Sequence, residues 1–481
     1  MTNPLRDALA TGRFCYVVEL VASALTREAR LLEAASGLAR IPAVVAGSVT
    51  SYAGGAIGHD PLRVAAAARA RGLTPNIHLT CVSQDRRGLA KSLDDMRALS
   101  LENVFALTGD YPSAGDQPPV FDLDSVQLVR LIDERRRGGM PFHVAVAVSP
   151  FKYTEADCVY QYVKLEKKIA AGADVAVTQV GWDARKFAEL KRYLDERGLR
   201  TPVLGNVYVL GPKTAERMAT GRPPGCWVSP ELLAAVRDES RSKDGGRQAR
   251  LERAARTVAV LRGLGYAGAY LGGTHDAAQI GWIIRRADEL APSWDALAAE
   301  LGYGAAGGFY LQGRKVARSA DLPAKRPRAE LLPRLLDRLG RAVPVKRDSR
   351  ARRALTRVFA WIDRWKPAAA LLERAELAIK KPLFGCQACG NCVLGHLEYV
   401  CPQTCPKQLR NGPCGGTDQG RCEVVPDQPC IWVAVYDRAK AAGALDGLKT
   451  YVPMPDRRLR DTSSWINYFL ERDSRPGAER S

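Results

Sequence analysis

Residues 76–110 read NIHLTCVSQDRRGLAKSLDDMRALSLENVFALTGD. A short apolar run, NIHLTC, leads through a longer amphipathic stretch into a second run, VFALTGD (104–110). Strands apolar on both faces and separated by helices are the building unit of a parallel sheet. Working outward, the same alternation recurs at FCYVVELV (14–21), AVVAGSVTS (43–51), FHVAVAVS (142–149), VAVTQVGW (175–182), PVLGNVYV (202–209) and GAYLGG (268–273). The intervening stretches, such as LDSVQLVRLIDERRR (123–137) and TEADCVYQYVKLEKKIAAGA (154–173), keep helical spacing. Eight strands within residues 12–290 predict an α/β fold of the closed (β/α)₈ TIM-barrel type. An open doubly wound sheet is the competing arrangement, but no glycine-rich dinucleotide fingerprint follows the first strand.

The polar residues at the strand ends locate a site. Glu19, Thr50, His78, Asp110, Gln179, Asn206 and His275 each fall at or just beyond the C-terminal end of a predicted strand. In such barrels that rim carries the active site, and seven polar residues on different strands are hard to ascribe to polar loops alone.

Five of these segments resemble, in order, the strand-end motifs of the methylenetetrahydrofolate reductase family. FCYVVELV resembles the first strand, which carries a glutamate, here Glu19. SVTSYAGG resembles the segment that would set Thr50 and Tyr52 by a flavin. NIHLTC matches the strand supplying His78 and Thr80. NVFALTGDYP matches the segment with Gly109 and Asp110 near the flavin ring, and VAVTQVGWD the strand with Gln179. The resemblance covers roughly residues 10–290. It implies a flavin, FAD before FMN, and reduction of 5,10-methylenetetrahydrofolate to 5-methyltetrahydrofolate. Glu19 is then the proton donor, in an enclosed, partly desolvated barrel mouth that raises a carboxyl pKa. Asp110 is the carboxylate stabilising the cationic ring-opened folate, and Gln179 binds the pterin edge. A helix face with Lys164, Lys167 and Lys168 lies where the family contacts flavin, Lys164 and Lys168 being the expected ligands; the other reading is a solvated face. Thr108 stands where many members have arginine. Val180-Gly181-Trp182 replaces an aromatic run, Tyr153 lies near a position often occupied by histidine, and VYVLGPKTA lacks a phenylalanine that stacks nicotinamide in some members. These departures bear on NAD(P)H as direct donor more than on flavin and folate.

Beyond the barrel, assigned to residues 1–290, the pattern degrades. GRKVARSADLPAKRPR (313–328) reads as a linker or surface excursion. A basic helical segment follows over 349–381, with Ser349 as N-cap and Leu355, Val358, Phe359 and Ile362 on one face. Residues 291–381 therefore form a linker with a basic helix, and 382–481 a cysteine-rich domain with a helical tail. Of twelve cysteines, eight lie in this last part: Cys386, Cys389, Cys392, Cys401, Cys405, Cys414, Cys422 and Cys430. Clustering of this kind, with a C-x₂-C-x₂-C start, reads as iron–sulfur ligation, with zinc as the alternative. The CPK and NGPCGG segments resemble a domain at the C-terminus of some bacterial and archaeal members of the same family, and also the companion subunit of acetogen-type reductases, where it is tied to electron delivery.

The net charge of +19 fits a solvated arginine-rich surface better than nucleic-acid binding, since no nucleic-acid motif accompanies it. No apolar run is long enough to span a membrane, and residues 1–14 lack a secretory h-region, so a cytoplasmic location is expected. The expected partners are a folate substrate, NAD(P)H or an acidic electron carrier, and a second copy of the chain in a homo-oligomer. The rival reading is a non-redox folate-binding component in methyl transfer, with a structural zinc domain.

Overall fold

The computed structural model describes residues 3–51, 58–112, 118–311 and 350–474. Tyr52, the linker motif at 313–328 and Ser349 lie outside them. The chain divides into two compact units, Met1–Gln312 with Pro413–Gln428, and Gly313–Gly412 with Pro429–Ser481.

In the first unit eight parallel strands close in sequence order into a barrel, β1 next to β8. They are β1 (Cys15–Leu20), β2 (Val44–Val49), β3 (Pro75–Thr80), β4 (Asn103–Leu107), β5 (His143–Val148), β6 (Val175–Thr178), β7 (Val203–Tyr208) and β8 (Gly268–Gly272). Closure excludes the open sheet and removes both edges, so every strand finds ladder partners on each side. Val17, Val45, Phe105, Ala145, Val177, Leu204 and Tyr270 share one buried cluster, joined by Leu5 and Ala8 of the helix Pro4–Ala10. The flanking helices start at side-chain caps. Asp60, Asp85, Thr154, Asp183, Ser229 and Asp276 each accept from a first-turn amide, and Asp124 forms a full capping box with Gln127.

Two features depart from the expected boundaries. The helix Trp294–Glu300 packs with Arg247–Gly263, where Trp294 fills the space a side chain on Gly263 would need. Residues to 311 continue against the barrel unit, with Tyr303 N donating to Trp182 O (3.1 Å) and Tyr310 bonded to Asp183 (2.7 Å). An amphipathic anchor of this kind has no strand–helix periodicity to betray it. Residues 413–428, within the stretch assigned to the cysteine-rich domain, also belong to the barrel unit. There the buried polar side chains of the helix Glu155–Ala170 take up their backbone groups, as described below.

In the second unit the basic segment is two helices, Arg350–Arg364 and Lys366–Phe384, rather than one. Pro367 has no amide to continue the ladder of the first helix. Phe359 stacks on Phe469 at 4.5 Å, and Leu355 and Ile362 are half-buried, while Val358 is exposed. Among the described residues no helix is long and apolar enough to cross a membrane.

Candidate active site and cysteine pocket

The site grows from the C-terminal ends of the strands. Glu19, the penultimate residue of β1, lies beside Tyr270 and Tyr208. Burial raises its carboxyl pKa to about 7, with the Tyr270 hydroxyl pulling the other way. Cys226, in the loop before the helix Pro230–Glu239, shows what shares this mouth. Burial pushes its thiol up to about 12, and Asp110, Lys152 and Glu19 all lie near enough for their charges to act on it. Groups from β1, from the turn after β4 and from the loop after β5 thus all act on this one buried thiol.

The other expected residues frame that space. Thr50, just past β2, accepts from Ala22 N (2.9 Å) and so ties the β1 loop to the β2 loop. Gly109 has φ +90°, and a Cβ there would lie 2.6 Å from Val82 Cγ1, so only glycine carries the chain from β4 to Asp110. Gln179 donates its backbone N–H to Val148 O (2.7 Å), and its side-chain Oε1 accepts from Val180 N (2.9 Å). His275 Nε2 accepts from Val21 N (3.3 Å), and burial lowers its pKa. Thr80 Oγ1, Ser149 Oγ and Asn206 Oδ1 are buried with no hydrogen-bond partner among the described residues. An unmade buried hydrogen bond costs about 1–3 kcal/mol, so three at the ends of different strands mark a surface suited to a polar guest.

His78 sits deeper, inside the barrel. Its Nε2 lies 3.0 Å from Ser48 Oγ and 3.3 Å from Tyr270 OH, and its ring meets Phe105 edge-on at 4.9 Å. Burial drops its pKa to about 3, so the ring is neutral.

The three lysines of the helix Glu155–Ala170 do not form a solvated face; all are buried. Lys164 Nζ donates to Pro413 O (2.9 Å) and Lys168 Nζ to Ala147 O (2.6 Å). Desolvation lowers the pKa of both Lys167 and Lys168 to about 7, and Asp124 only partly offsets it. Three buried lysines on one helix near Asp124 make a basic group of a kind that suits a phosphate-bearing ligand. Lys152 and Gln161 complete this wall, donating to Thr417 O and to Cys414 O (2.7 Å), while Gly420 N donates to Asp157 Oδ2 (2.7 Å).

Sequence reasoning missed Lys152, Ser48, Tyr270 and Cys226. Tyr270 had a signal: an aromatic with a polar tip in an otherwise small, apolar strand, GAYLG. Lys152, beside the singled-out Tyr153, had none, since its partners come from residues 413–428.

In the second unit Cys386, Cys389, Cys392 and Cys401 line one pocket with Glu376, Lys380 and Ser464. Lys380 Nζ reaches Glu376 Oε1 (2.7 Å), Ser464 Oγ (2.8 Å) and Cys392 Sγ (3.6 Å). Burial raises the Cys401 thiol to about 11, and the other three thiols add to that rise. Cys405 and Cys430 are buried in the same unit, whereas Cys414 and Cys422 belong to the barrel unit, where Cys414 Sγ donates to Glu423 (3.3 Å). Among the described residues no three Cys, His, Asp or Glu side chains are spaced to hold a single metal ion.

Comparison with known proteins gives two family matches, the second running across residues 413–428 of the barrel unit. Residues 4–244 match the family model for methylenetetrahydrofolate reductase, and residues 369–458 match the model described as methylene-tetrahydrofolate reductase C terminal. The chain is 27% identical over 154 residues to a probable methylenetetrahydrofolate reductase (NADPH) of Caenorhabditis elegans, spanning 31% of this chain and 22% of that protein. It is 27% identical over 151 residues to the 5,10-methylenetetrahydrofolate reductase of Pectobacterium carotovorum, 31% of this chain and 48% of the relative. The aligned part thus spans half or less of these relatives. Among solved structures, a Clostridium thermocellum protein that binds two copies of 5-methyl-5,6,7,8-tetrahydrofolic acid superposes with a TM-score of 0.43 at 10% identity, over 60% of this chain and 99% of that one.

Proposed function

This chain belongs to the methylenetetrahydrofolate reductase family, and on that premise we propose that it reduces 5,10-methylenetetrahydrofolate to 5-methyltetrahydrofolate with a noncovalently bound flavin, FAD, at the barrel mouth. The observation that carries the reading is a buried carboxyl at the C-terminal end of β1, Glu19, with a pKa near neutrality, and a second carboxyl, Asp110, that acts on the same buried thiol, Cys226. The flavin, when bound and reduced, supplies the hydride. The buried lysines fit its diphosphate, and the unmatched polar atoms of Thr80, Ser149 and Asn206 fit a polar guest over the strand ends.

Glu19 does what the folate requires. The bridging imidazolidine ring opens only if its leaving nitrogen gains a proton, and a carboxyl still half-protonated near pH 7 can give one. Opening leaves a cationic iminium, which the Asp110 carboxylate stabilises across a desolvated mouth. Gln179 offers a donor and an acceptor for the pterin edge, and Thr50 holds two rim loops together beside it.

The cysteine pocket fits an iron–sulfur cluster. A cubane takes each thiolate on a separate iron, so four thiols spread round one pocket serve it, whereas zinc needs sulfurs converging about 2.3 Å from one point. Electrons reach the flavin from NAD(P)H or from a reduced acidic carrier. The direct test is purification followed by a visible spectrum and flavin release by acid. Bound FAD at about one per chain supports the proposal; folded protein that takes up no flavin on reconstitution defeats it and favours a non-redox folate-binding role.

A further inference from the structure

Beneath the barrel mouth lies a buried polar cluster that the reaction as described does not use. Asn76 and His78 of β3, Ser48 of β2 and Tyr270 of β8 are all buried inside the barrel, among otherwise apolar neighbours. Asn76 Nδ2 donates to Ser48 Oγ (3.0 Å). Ser48 Oγ lies 3.0 Å from His78 Nε2, and His78 Nε2 lies 3.3 Å from Tyr270 OH. The Tyr270 hydroxyl also lies beside Ser48 and beside Glu19, close enough to act on both.

Hydrogen counting fixes the direction of this cluster. The amide nitrogen of Asn76 can only donate, so Ser48 Oγ accepts from it. Tyr270 has one proton, and Glu19, once ionised, can only accept it. The Tyr270 oxygen is then left to accept: Ser48 Oγ, which accepts from Asn76 and from His78, turns its own proton toward it. A neutral ring with its proton on Nε2 provides the His78 donor, and His78 is neutral here. Every donor therefore points toward Glu19. Phe105 clamps the ring of His78 at 4.9 Å and that of Tyr270 at 6.1 Å, so neither can swing away.

Resting on the reading of Glu19 as proton donor, we propose that Tyr270 is a positioning residue for that step: its hydroxyl, held by the cluster of Ser48, His78 and, through Ser48, Asn76, aims the Glu19 carboxyl and sets how readily it releases its proton. A phenol donating to a carboxylate bonds it more strongly than the protonated acid, so it counters the effect of burial. The other ionisable groups at the mouth are Tyr208 of β7 and Cys226 of the following loop, both protonated at neutral pH, Asp110 and Lys152 near Cys226, and His275 beyond β8, held on Val21 N.

The test is a pH profile. Reoxidation of the prereduced flavoprotein by 5,10-methylenetetrahydrofolate is followed in single turnovers for the native chain, Tyr270→Phe, Ser48→Ala and Glu19→Gln. Loss of the phenol leaves burial unopposed, so the alkaline limb in Tyr270→Phe moves up by about one pH unit with flavin content unchanged. Ser48→Ala, which removes one donor into the phenol, moves it the same way by less, and decides the matter if Tyr270→Phe does not fold. A limb that stays in place, or moves down, overturns the role of Tyr270, since a merely structural loss lowers the rate at every pH. Glu19→Gln separates the two claims: if it keeps both rate and limb, the acid is not Glu19 and the underlying reading fails.

Discussion

Glu19 and Gly109 carry opposite kinds of constraint. At Glu19 the fold holds a carboxyl where its ionised form is disfavoured. A group whose folded pKa is raised contributes stability that is lost as pH rises through the folded value, here about 7. Glu19→Gln removes that penalty, so its Tm should exceed that of the native chain by a few degrees at pH 8–9 and match it near pH 5. The same change should lower folate turnover by roughly 10²-fold or more while leaving flavin reduction by the donor intact. Near-normal folate turnover would take Glu19 out of the mechanism. Gly109 is constrained by backbone. At φ +90° with Val82 in the way of a Cβ, Gly109→Ala should cost about 1–3 kcal/mol and displace Asp110. Chemical denaturation would show it; an unchanged midpoint would mean the turn can relax.

At the scale of elements, the strands were legible because a parallel barrel buries both faces of each one, which writes continuous apolar runs into the chain. The strand-end residues were legible for the same reason, as polar interruptions of those runs. What could not be read was burial imposed from far along the chain. The lysines of the helix Glu155–Ala170 look like a solvated face because lysine at helical spacing usually is one. They are buried because residues 413–428, about 250 positions later, bring backbone carbonyls to Lys152, Lys164 and Gln161. Their buried state has a measurable consequence. With Lys167 and Lys168 at pKa values of about 7, an anionic diphosphate binding beside them must draw in protons. Flavin affinity should therefore be highest below pH 7 and weaken as pH rises, by up to about tenfold per unit for each proton taken up. Titration of the apoprotein with FAD between pH 6 and 9 measures this, and Lys168→Met should flatten the slope. A dissociation constant independent of pH would place the diphosphate elsewhere.

At the scale of the whole molecule, the barrel and the cysteine-rich unit pose one question, which is where the electrons enter. On the family resemblance, the segment VYVLGPKTA lacks the phenylalanine that stacks nicotinamide in some members. The second unit collects four thiols, Cys386, Cys389, Cys392 and Cys401, round a pocket beside the buried Lys380–Glu376 pair. Residues 341–381 contain twelve Lys and Arg against four Asp and Glu, a net +8 that would steer an acidic carrier and lose its effect with salt. We propose that a reduced carrier can feed the flavin by way of this unit. The expected cluster absorbs broadly near ~400 nm and carries acid-labile sulfide. Replacing both Cys386 and Cys389 by serine should abolish that absorbance and the carrier-driven turnover, while leaving folate-dependent reoxidation of chemically reduced flavin unchanged. Raising ionic strength should slow the carrier-driven reaction of the native chain alone. Stoichiometric zinc without sulfide, or equally fast NADH-driven turnover in both proteins with none from any reduced carrier, would make the cysteine unit structural and return electron entry to the barrel mouth.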